Sequence, residues 1–128
     1  MKLFKAVTLF LLSVASSLAM AGPVVPYDQD AFDKLAQEGK PVVVVVHAPW
    51  CPTCKVQKPI QFGLMEQPAY KDVTMMTIDF DSQKPLLAKY KVAMQSTMIS
   101  FKGGQEVGRS VGDTSAAGIE GLVKKALN

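Results

Sequence analysis

The sequence contains two cysteines, Cys51 and Cys54, and only two residues separate them. A thiolate is the nucleophile of thiol–disulfide exchange, and two thiols at this spacing are typical of redox motifs. A bridge across so short a loop would constrain the unfolded chain very little, which argues against a structural disulfide. Half of a zinc site is the other interpretation, but the chain has no further cysteine and only one imidazole, that of His47. The pair therefore predicts a reactive dithiol.

A short valine run precedes the pair and predicts how it is held. Residues 42–46 are all valine, and a continuous run of β-branched side chains is typical of a strand covered on both faces. The cysteines then fall where this strand gives way to a helix. The free N–H groups and the positive end of the helix dipole favour a thiolate there, so Cys51 is predicted to be the better nucleophile.

The rest of the chain alternates strand and helix patterns around this unit. Asp28 or Asp30 should cap the first helix, Pro59 should kink the second, and Thr114 should cap the last. The order β-α-β-α-β-α-β-β-α predicts an α/β fold whose mixed sheet carries helices on both faces. The predicted elements are an edge strand at 24–27, a helix after Asp28, a strand at 42–46, a helix at 55–67 with Val56, Ile60, Leu64 and Met65 inward, a strand at 73–80, a helix at 85–90, strands at 97–101 and 106–111 joined by a hairpin turn, and a helix with Ile119, Leu122, Val123 and Ala126 on one face.

The first 21 residues have the pattern of a secretory signal peptide. Lys2 and Lys5 supply positive charge, residues 6–20 are apolar or small, and Ala19-Met20-Ala21 offers an A-x-A cleavage site. The apolar stretch is diluted by serines and a threonine and is short for a membrane anchor, which needs about 20 apolar residues. Cleavage removes 21 of the 128 residues and leaves one domain, residues 22–128, which is not expected to span a membrane.

The balance of charge gives no sign of a polyanionic partner. The formal net charge is +3, and it falls to +1 once Lys2 and Lys5 are removed. No basic run with interleaved aromatic residues is present, so nucleic-acid binding is not predicted.

Across residues 22–128 the sequence resembles the thioredoxin family. The co-linear match consists of Ala48, Trp50, Cys51, Cys54, Lys55, Pro59, Asp79, Asp81, Tyr90, Val92, Thr97, Phe101, Lys102, Gly104 and Gly112. The resemblance implies a thioredoxin fold in which Cys51 attacks a substrate disulfide and Cys54 resolves the mixed disulfide. Cys51 is then expected to be exposed at the helix start, and Cys54 to lie one turn further in. Trp50 is expected to pack beside the pair, with a core aromatic as the alternative.

One departure from the family pattern lies at Ser96. The family has a cis-proline there, directly before the residue that matches Thr97. A cis bond before a serine would cost about 3–4 kcal/mol, so the Gln95–Ser96 bond is predicted to be trans. The resemblance also implies that losing this proline reshapes the substrate-docking edge and weakens a barrier to metal binding.

Two further departures concern the surroundings of the thiols. Val45 replaces a buried aspartate that helps to deprotonate the family's resolving cysteine, and Thr77 takes the place of its partner lysine. Pro52 and Thr53 replace the usual glycine and proline between the cysteines. Proline is preorganised for a helix start, and the Thr53 hydroxyl could donate to a thiolate, so both changes should lower a thiol pKa.

These features predict a periplasmic thiol–disulfide oxidoreductase that exchanges disulfides with protein substrates. No cofactor or resident metal is expected, and the protein is expected to be a monomer. By analogy with exported relatives, a membrane-embedded electron donor would recharge it if it works as a reductase. The catalytic residues are Cys51 and Cys54, supported by Trp50, Pro52, Thr53, Ser96 and Thr97.

A metal-binding or carrier module on the same fold is the alternative. Its motivation is the loss of the proline at Ser96 together with the missing acid at Val45. The cargo would be copper or an iron–sulfur unit, held by the two cysteines with His47 or Met98. The plainer interpretations are a local hydrogen-bonding role for His47 and core packing for Met94 and Met98. A third hypothesis is an assembly factor whose mixed disulfides persist because resolution is slow.

Overall fold

The computed structural model describes residues 21–128, so the predicted signal peptide lies, except for Ala21, outside the described residues. The predicted order of strands and helices is confirmed, with small shifts at the ends of elements. Within the described range, no helix has both the length and the apolar character needed to cross a membrane. The elements are β1 (Val24–Pro26), α1 (Gln29–Gln37), β2 (Pro41–His47), α2 (Pro52–Met65), a short 3-10 helix (Pro68–Tyr70), β3 (Thr74–Asp79), α3 (Lys84–Lys89), β4 (Thr97–Lys102), β5 (Gln105–Val111) and α4 (Ala116–Leu127).

The five strands form one mixed sheet in the order β1-β3-β2-β4-β5. Strands β1, β3 and β2 run parallel, and β4 pairs antiparallel with both β2 and β5. The central strand is β2, the valine strand. Its position explains its composition, because a strand with neighbours on both sides and helices on both faces buries the side chains along its middle, here the five valines.

Alternate valines of β2 build the two halves of the core. Val43 and Val45 pack with side chains from α2 and α4 on one face of the sheet, whereas Val42, Val44 and Val46 pack with α1 and α3 on the other. All five are 3% exposed or less. Burying one such side chain contributes about 1.5 kcal/mol or more, so β2 is firmly anchored where it leads toward the cysteines.

The predicted inward face of α2 is partly wrong. Val56 is half exposed, and the side chains of Gln57 and Gln61 are buried instead. Helix phase explains the error: Cys54, Gln57 and Gln61 follow the three- and four-residue spacing that keeps one face inward, and Val56 lies off that face.

The predicted helix caps are confirmed at one end of the chain and corrected at the other. Asp28 caps α1, because its Oδ1 accepts a hydrogen bond from the Ala31 amide at 2.7 Å. Thr114 does not cap α4. The cap is Ser115, whose hydroxyl accepts from the Gly118 amide at 3.1 Å and donates to Asp113.

Candidate dithiol active site

Cys51 is the N-cap of α2. Its backbone is extended, with φ −79° and ψ 113°, and its sulfur accepts a hydrogen bond from the Cys54 amide at 3.1 Å. Pro52 occupies the first turn of α2, where a backbone N–H would have no partner within the helix, so its absence costs no hydrogen bond. The local sequence therefore places a thiol at the positive end of the helix dipole, as predicted.

Ser96 joins the two thiols through its side chain. Its Oγ lies 3.1 Å from the Cys51 sulfur and 3.2 Å from the Cys54 sulfur. Among residues 21–128 there is no cis peptide bond, so the Gln95–Ser96 bond is trans, as predicted. Ser96 instead adopts a φ of +65°, in the left-handed region that residues other than glycine seldom occupy.

The expectation that Cys51 is exposed is wrong, because its exposed fraction is 0%. Two contacts explain this. As an N-cap, the sulfur turns back over the first turn of α2, and the hydroxyl of Ser96 lies against it. Cys54 is also buried, at 8% exposed. A substrate sulfur therefore reaches Cys51 only when the side chains around it shift.

The two thiols have pKa values displaced in opposite directions. Burial alone would raise the pKa of Cys51. Hydrogen bonds from the Cys54 thiol, the Ser96 hydroxyl, the Cys54 amide and the Gln95 side chain outweigh burial and hold the pKa below its ordinary value. Burial raises the pKa of Cys54, and its hydrogen bond to Cys51 raises it further. The split makes Cys51 the thiol that ionises first.

The segment around Ser96 is held by residues whose role the sequence analysis missed. Gln57, 1% exposed, uses its Nε2 to donate to the carbonyl oxygens of Ser96 at 3.2 Å and Asp113 at 2.8 Å. The signal was available, since a glutamine three residues after Cys54 falls on the inward face of α2. Thr97, predicted as a supporting residue, fixes the same segment by donating its hydroxyl to the Met94 carbonyl at 2.7 Å.

Among the described residues, neither Thr53 nor Trp50 is a hydrogen-bond partner of the two sulfurs. The predicted donation from the Thr53 hydroxyl to a thiolate is therefore wrong. Trp50, next to Cys51 in the chain, is 53% exposed and is not a core aromatic. Its indole donates to Asp81 at 2.8 Å, and its ring meets Phe80 edge to face.

Beneath Cys54 lies an open groove of about 460 Å³ with no acidic residue in its lining. Val45 and Thr77, which the sequence placed at the positions of the family's acid and lysine, are paired in register between β2 and β3 and both line this groove. His47 lies on the same wall, at the end of β2. No carboxylate is thus available from this side to take a proton from Cys54.

Of the residues named for metal binding, Cys51 and Cys54 lie together at Ser96, and Cys54 and His47 line the same groove. Among the described residues, no three His, Cys, Asp or Glu side chains are grouped so that they could hold a metal ion. Met98 is fully buried in the core beside Val45, where its sulfur accepts a hydrogen bond from Gln61 at 3.4 Å. Met94 is half exposed.

Comparison with known proteins now identifies the family. The family model named Thioredoxin matches residues 23–125. The chain belongs to the thioredoxin family. It is 30% identical over 98 residues to a thioredoxin of Coprinus comatus, covering 77% of this chain and 92% of that protein. It is 39% identical over 83 residues to thioredoxin-2 of Saccharomyces cerevisiae, covering 65% of this chain and 78% of that protein.

A solved bacterial structure shows the same fold. The crystal structure of Trxlp from Edwardsiella tarda superposes with a TM-score of 0.74 at 42% identity, covering 77% of this chain and 97% of that chain. The predicted thioredoxin fold is therefore confirmed. As a member of the thioredoxin family with two thiols at the start of α2, the protein is a disulfide oxidoreductase.

Proposed function

We propose that this protein is a periplasmic thiol–disulfide oxidoreductase that exchanges disulfides with protein substrates through Cys51 and Cys54. The observation that carries the proposal is the position of the two thiols at the N-terminus of α2, where Cys51 is the N-cap and its sulfur accepts from the Cys54 amide at 3.1 Å. The pKa of Cys51 is lowered and that of Cys54 raised, in keeping with this position. A lowered pKa increases the fraction of Cys51 present as the attacking thiolate, and a raised pKa keeps the Cys54 thiol protonated until it is needed.

The reaction follows from this division of roles. The Cys51 thiolate attacks one sulfur of a substrate disulfide, forming a mixed disulfide and releasing the other substrate sulfur as a thiolate. Cys54 then loses its proton and attacks the Cys51 sulfur. The second substrate sulfur leaves with the electron pair, and the enzyme retains a Cys51–Cys54 disulfide. Run in reverse, the same steps would oxidise a substrate dithiol.

The surface around the thiols supports a polypeptide substrate. Trp50 is adjacent to Cys51, Met94 precedes Ser96 by two residues, and Val111 pairs with Thr97 across the hairpin. Trp50, Met94 and Val111 are each more than half exposed. Aromatic and methionine side chains are enriched in protein interfaces, so these three residues give a protein chain an apolar surface on which to dock.

Export is supported by the sequence of the first 21 residues. Residues 1–21 have the charged, apolar and small-residue regions of a signal peptide. Ala21, the last residue before the predicted cleavage point, is exposed. In the periplasm, a membrane-embedded electron donor would return the enzyme to its dithiol form if it works as a reductase.

Insulin reduction by the purified protein tests the proposed activity. Reduced wild-type protein should precipitate insulin chains in the presence of dithiothreitol, and Cys51→Ser should abolish this reaction. Cys54→Ser should form the mixed disulfide but not turn over. Activity that survives in Cys51→Ser would sink the assignment. For the location, sequencing the amino terminus of protein from the periplasmic fraction should give Gly22 as the first residue, and uncleaved protein in the cytoplasm would contradict export.

A further inference from the structure

Access from the surface differs between the two cysteines. Cys51 is 0% exposed, and its sulfur is covered by the first turn of α2 and by the Ser96 hydroxyl. Cys54 is 8% exposed and lines the open groove of about 460 Å³, whereas Cys51 and Ser96 do not line it. The groove therefore meets Cys54 on a side that Cys51 and Ser96 do not occupy. A small molecule in the groove approaches Cys54 without first uncovering Cys51.

The groove has the size and the apolar lining of a small-molecule site. Ligand pockets commonly enclose about 300–1,000 Å³ between mainly apolar side chains, with a few polar groups that orient the ligand. The lining here includes Val24, Val25 and Pro26 of β1 and the half-exposed ring of Phe62 on α2. The groove can therefore hold a small organic molecule with an apolar part next to Cys54.

The charged side chains of the groove are all basic. Lys55 and Lys58 of α2 line it together with His47 at the end of β2, and none of its described lining residues is acidic. The Lys58 ammonium lies 5.7 Å from the centre of the Phe62 ring, so a charged and an apolar contact adjoin. A cleft lined by one sign of charge concentrates ligands of the opposite sign. The groove therefore favours an anion such as a carboxylate over a cation.

A disulfide between Cys51 and Cys54 is opened more readily by attack at Cys54 than by attack at Cys51. In thiol–disulfide exchange, the departing sulfur leaves faster when its thiolate is more stable. Attack at Cys54 makes Cys51 the departing sulfur, which accepts from the Cys54 amide at 3.1 Å and lies 3.1 Å from the Ser96 oxygen. The pKa of Cys51 is lowered and that of Cys54 is raised, in keeping with this order.

We propose that the groove binds a small thiol carrying a carboxylate, and that this thiol opens the Cys51–Cys54 disulfide by attacking the Cys54 sulfur. The inference rests on the proposed function, which supplies the disulfide. The ligand thiolate bonds to Cys54, the Cys51–Cys54 bond breaks, and the electron pair leaves with the Cys51 sulfur. A second ligand thiolate then attacks the bound ligand sulfur, and Cys54 departs as a thiolate that takes a proton from solvent in the groove. Two ligand thiols are oxidised to one disulfide, and the protein disulfide is reduced to a dithiol.

The two cysteines thus meet different partners from different sides. Cys51 attacks protein disulfides beside the exposed Trp50, and Cys54 receives the small thiol from the groove. The raised pKa of Cys54 makes its thiol a poor nucleophile, but it does not hinder this step. Here Cys54 is attacked as a disulfide sulfur, which carries no proton.

Rapid acid quenching locates the attacked sulfur. Oxidised wild-type protein is mixed with mercaptopropionate and quenched, the free thiol is alkylated in acid, and tandem mass spectrometry of the peptide that holds both cysteines shows which one carries the ligand. The earliest mixed disulfide should be on Cys54, with the alkyl group on Cys51. An earliest mixed disulfide on Cys51 would overturn the proposal.

Two thiols of nearly equal size and opposite charge test the groove itself. The rate constant for opening the disulfide is measured with mercaptopropionate and with cysteamine, and their ratio cancels any change in the reactivity of the disulfide. Lys55→Gln/Lys58→Gln should lower this ratio about fivefold, the combined effect of two exposed charge pairs. Lys71→Gln/Lys102→Gln is the matched control, because it removes two exposed lysines that do not line the groove, and it should leave the ratio unchanged. An unchanged ratio in the groove variant, or an equal fall in the control, would overturn the proposal.

Neither measurement uses a protein substrate, so the outcome is separate from that of insulin reduction. Attack at Cys54 in a protein that fails to reduce insulin would count against the proposed function and leave the role of the groove intact. Insulin reduction by a protein whose disulfide is opened at Cys51 would overturn the role of the groove and leave the proposed function intact.

Discussion

Gln57 links helix α2 to the segment that carries Ser96, and its removal should destabilise the protein more than removal of Gln61 on the same helix face. The two hydrogens of Nε2 satisfy the Ser96 and Asp113 carbonyls at 3.2 Å and 2.8 Å. Gln57→Leu keeps the bulk and removes both bonds. The Asp113 carbonyl then loses its donor, whereas the Ser96 carbonyl loses one of two donors and keeps the Gly112 amide.

The expected loss can be estimated from these contacts. An unsatisfied buried carbonyl costs about 1–3 kcal/mol, so Gln57→Leu should lower the free energy of unfolding by about 2 kcal/mol. Gln61→Leu is the matched control, because Gln61 is also buried one turn along α2 but donates only to the Met98 sulfur at 3.4 Å. A thioether is a weak acceptor, so this change should cost less than about 1 kcal/mol.

Urea denaturation of the reduced protein, followed by Trp50 fluorescence, compares the two variants. The rate of Cys51 alkylation can be measured in the same samples. This rate should differ from wild type in Gln57→Leu, because the Ser96 segment loses the hydrogen bond from Gln57 that positions its hydroxyl. If Gln61→Leu proved as destabilising as Gln57→Leu, the loss would reflect general core packing, and the specific role assigned to the Nε2 bonds would be refuted.

Three further perturbations test other parts of the structure. Alkylation of Cys51 by iodoacetamide should reach half its maximal rate at a pH below the ordinary thiol pKa of about 8.5, because the lowered pKa of Cys51 provides thiolate at lower pH. Cys54→Ala should raise this midpoint, because it removes a hydrogen-bond donor to the Cys51 sulfur. An identical midpoint in the wild-type protein and the variant would contradict this. Tyr70→Phe should lower the free energy of unfolding, measured in urea, by about 1–2 kcal/mol, because the Tyr70 hydroxyl donates to Glu120 at 2.5 Å. An unchanged free energy of unfolding would show that this hydrogen bond does not stabilise the protein. Gly22→Ala should lower the free energy of unfolding by about 1–3 kcal/mol, measured by thermal denaturation, because the new Cβ would lie 2.5 Å from the Tyr70 carbonyl oxygen. Gly121→Ala is the control: its Cβ would enter open space in α4, so it should leave stability unchanged or raise it. Equal effects of the two substitutions would refute the contact at Gly22.

The fold was largely predictable because its signals are local. The run of five valines predicted the central strand by composition. The side chains of these valines alternate between the two halves of the core, as the two-residue period of a β-strand requires. The helix start at Cys51 followed from the strand before it. Asp28 was a correct cap because a side-chain oxygen at that position serves the first turn directly.

The chemistry of the site was less predictable because it depends on contacts distant in sequence. The Ser96 hydroxyl that lies against the Cys51 sulfur comes from a residue 45 positions away, whose positive φ is held by bonds to Val46 and Gly112. Hydropathy placed Val56 inward, but the phase of α2 is set by its cap and turns Gln57 toward the core instead. A missing acid at Val45 was visible in the sequence, whereas the hydroxyl that contacts both thiols was not.

The central claim is that Cys51 attacks and Cys54 resolves, and covalent trapping tests it most directly. Reduced Cys54→Ser and Cys51→Ser proteins are each mixed with insulin, quenched with acid and analysed by intact mass. A one-to-one mixed disulfide on Cys51 is expected in the Cys54→Ser protein and little adduct in the Cys51→Ser protein, because the pKa of Cys54 is raised and its thiol is a poor nucleophile. Equal or greater adduct formation through Cys54 would contradict the claim.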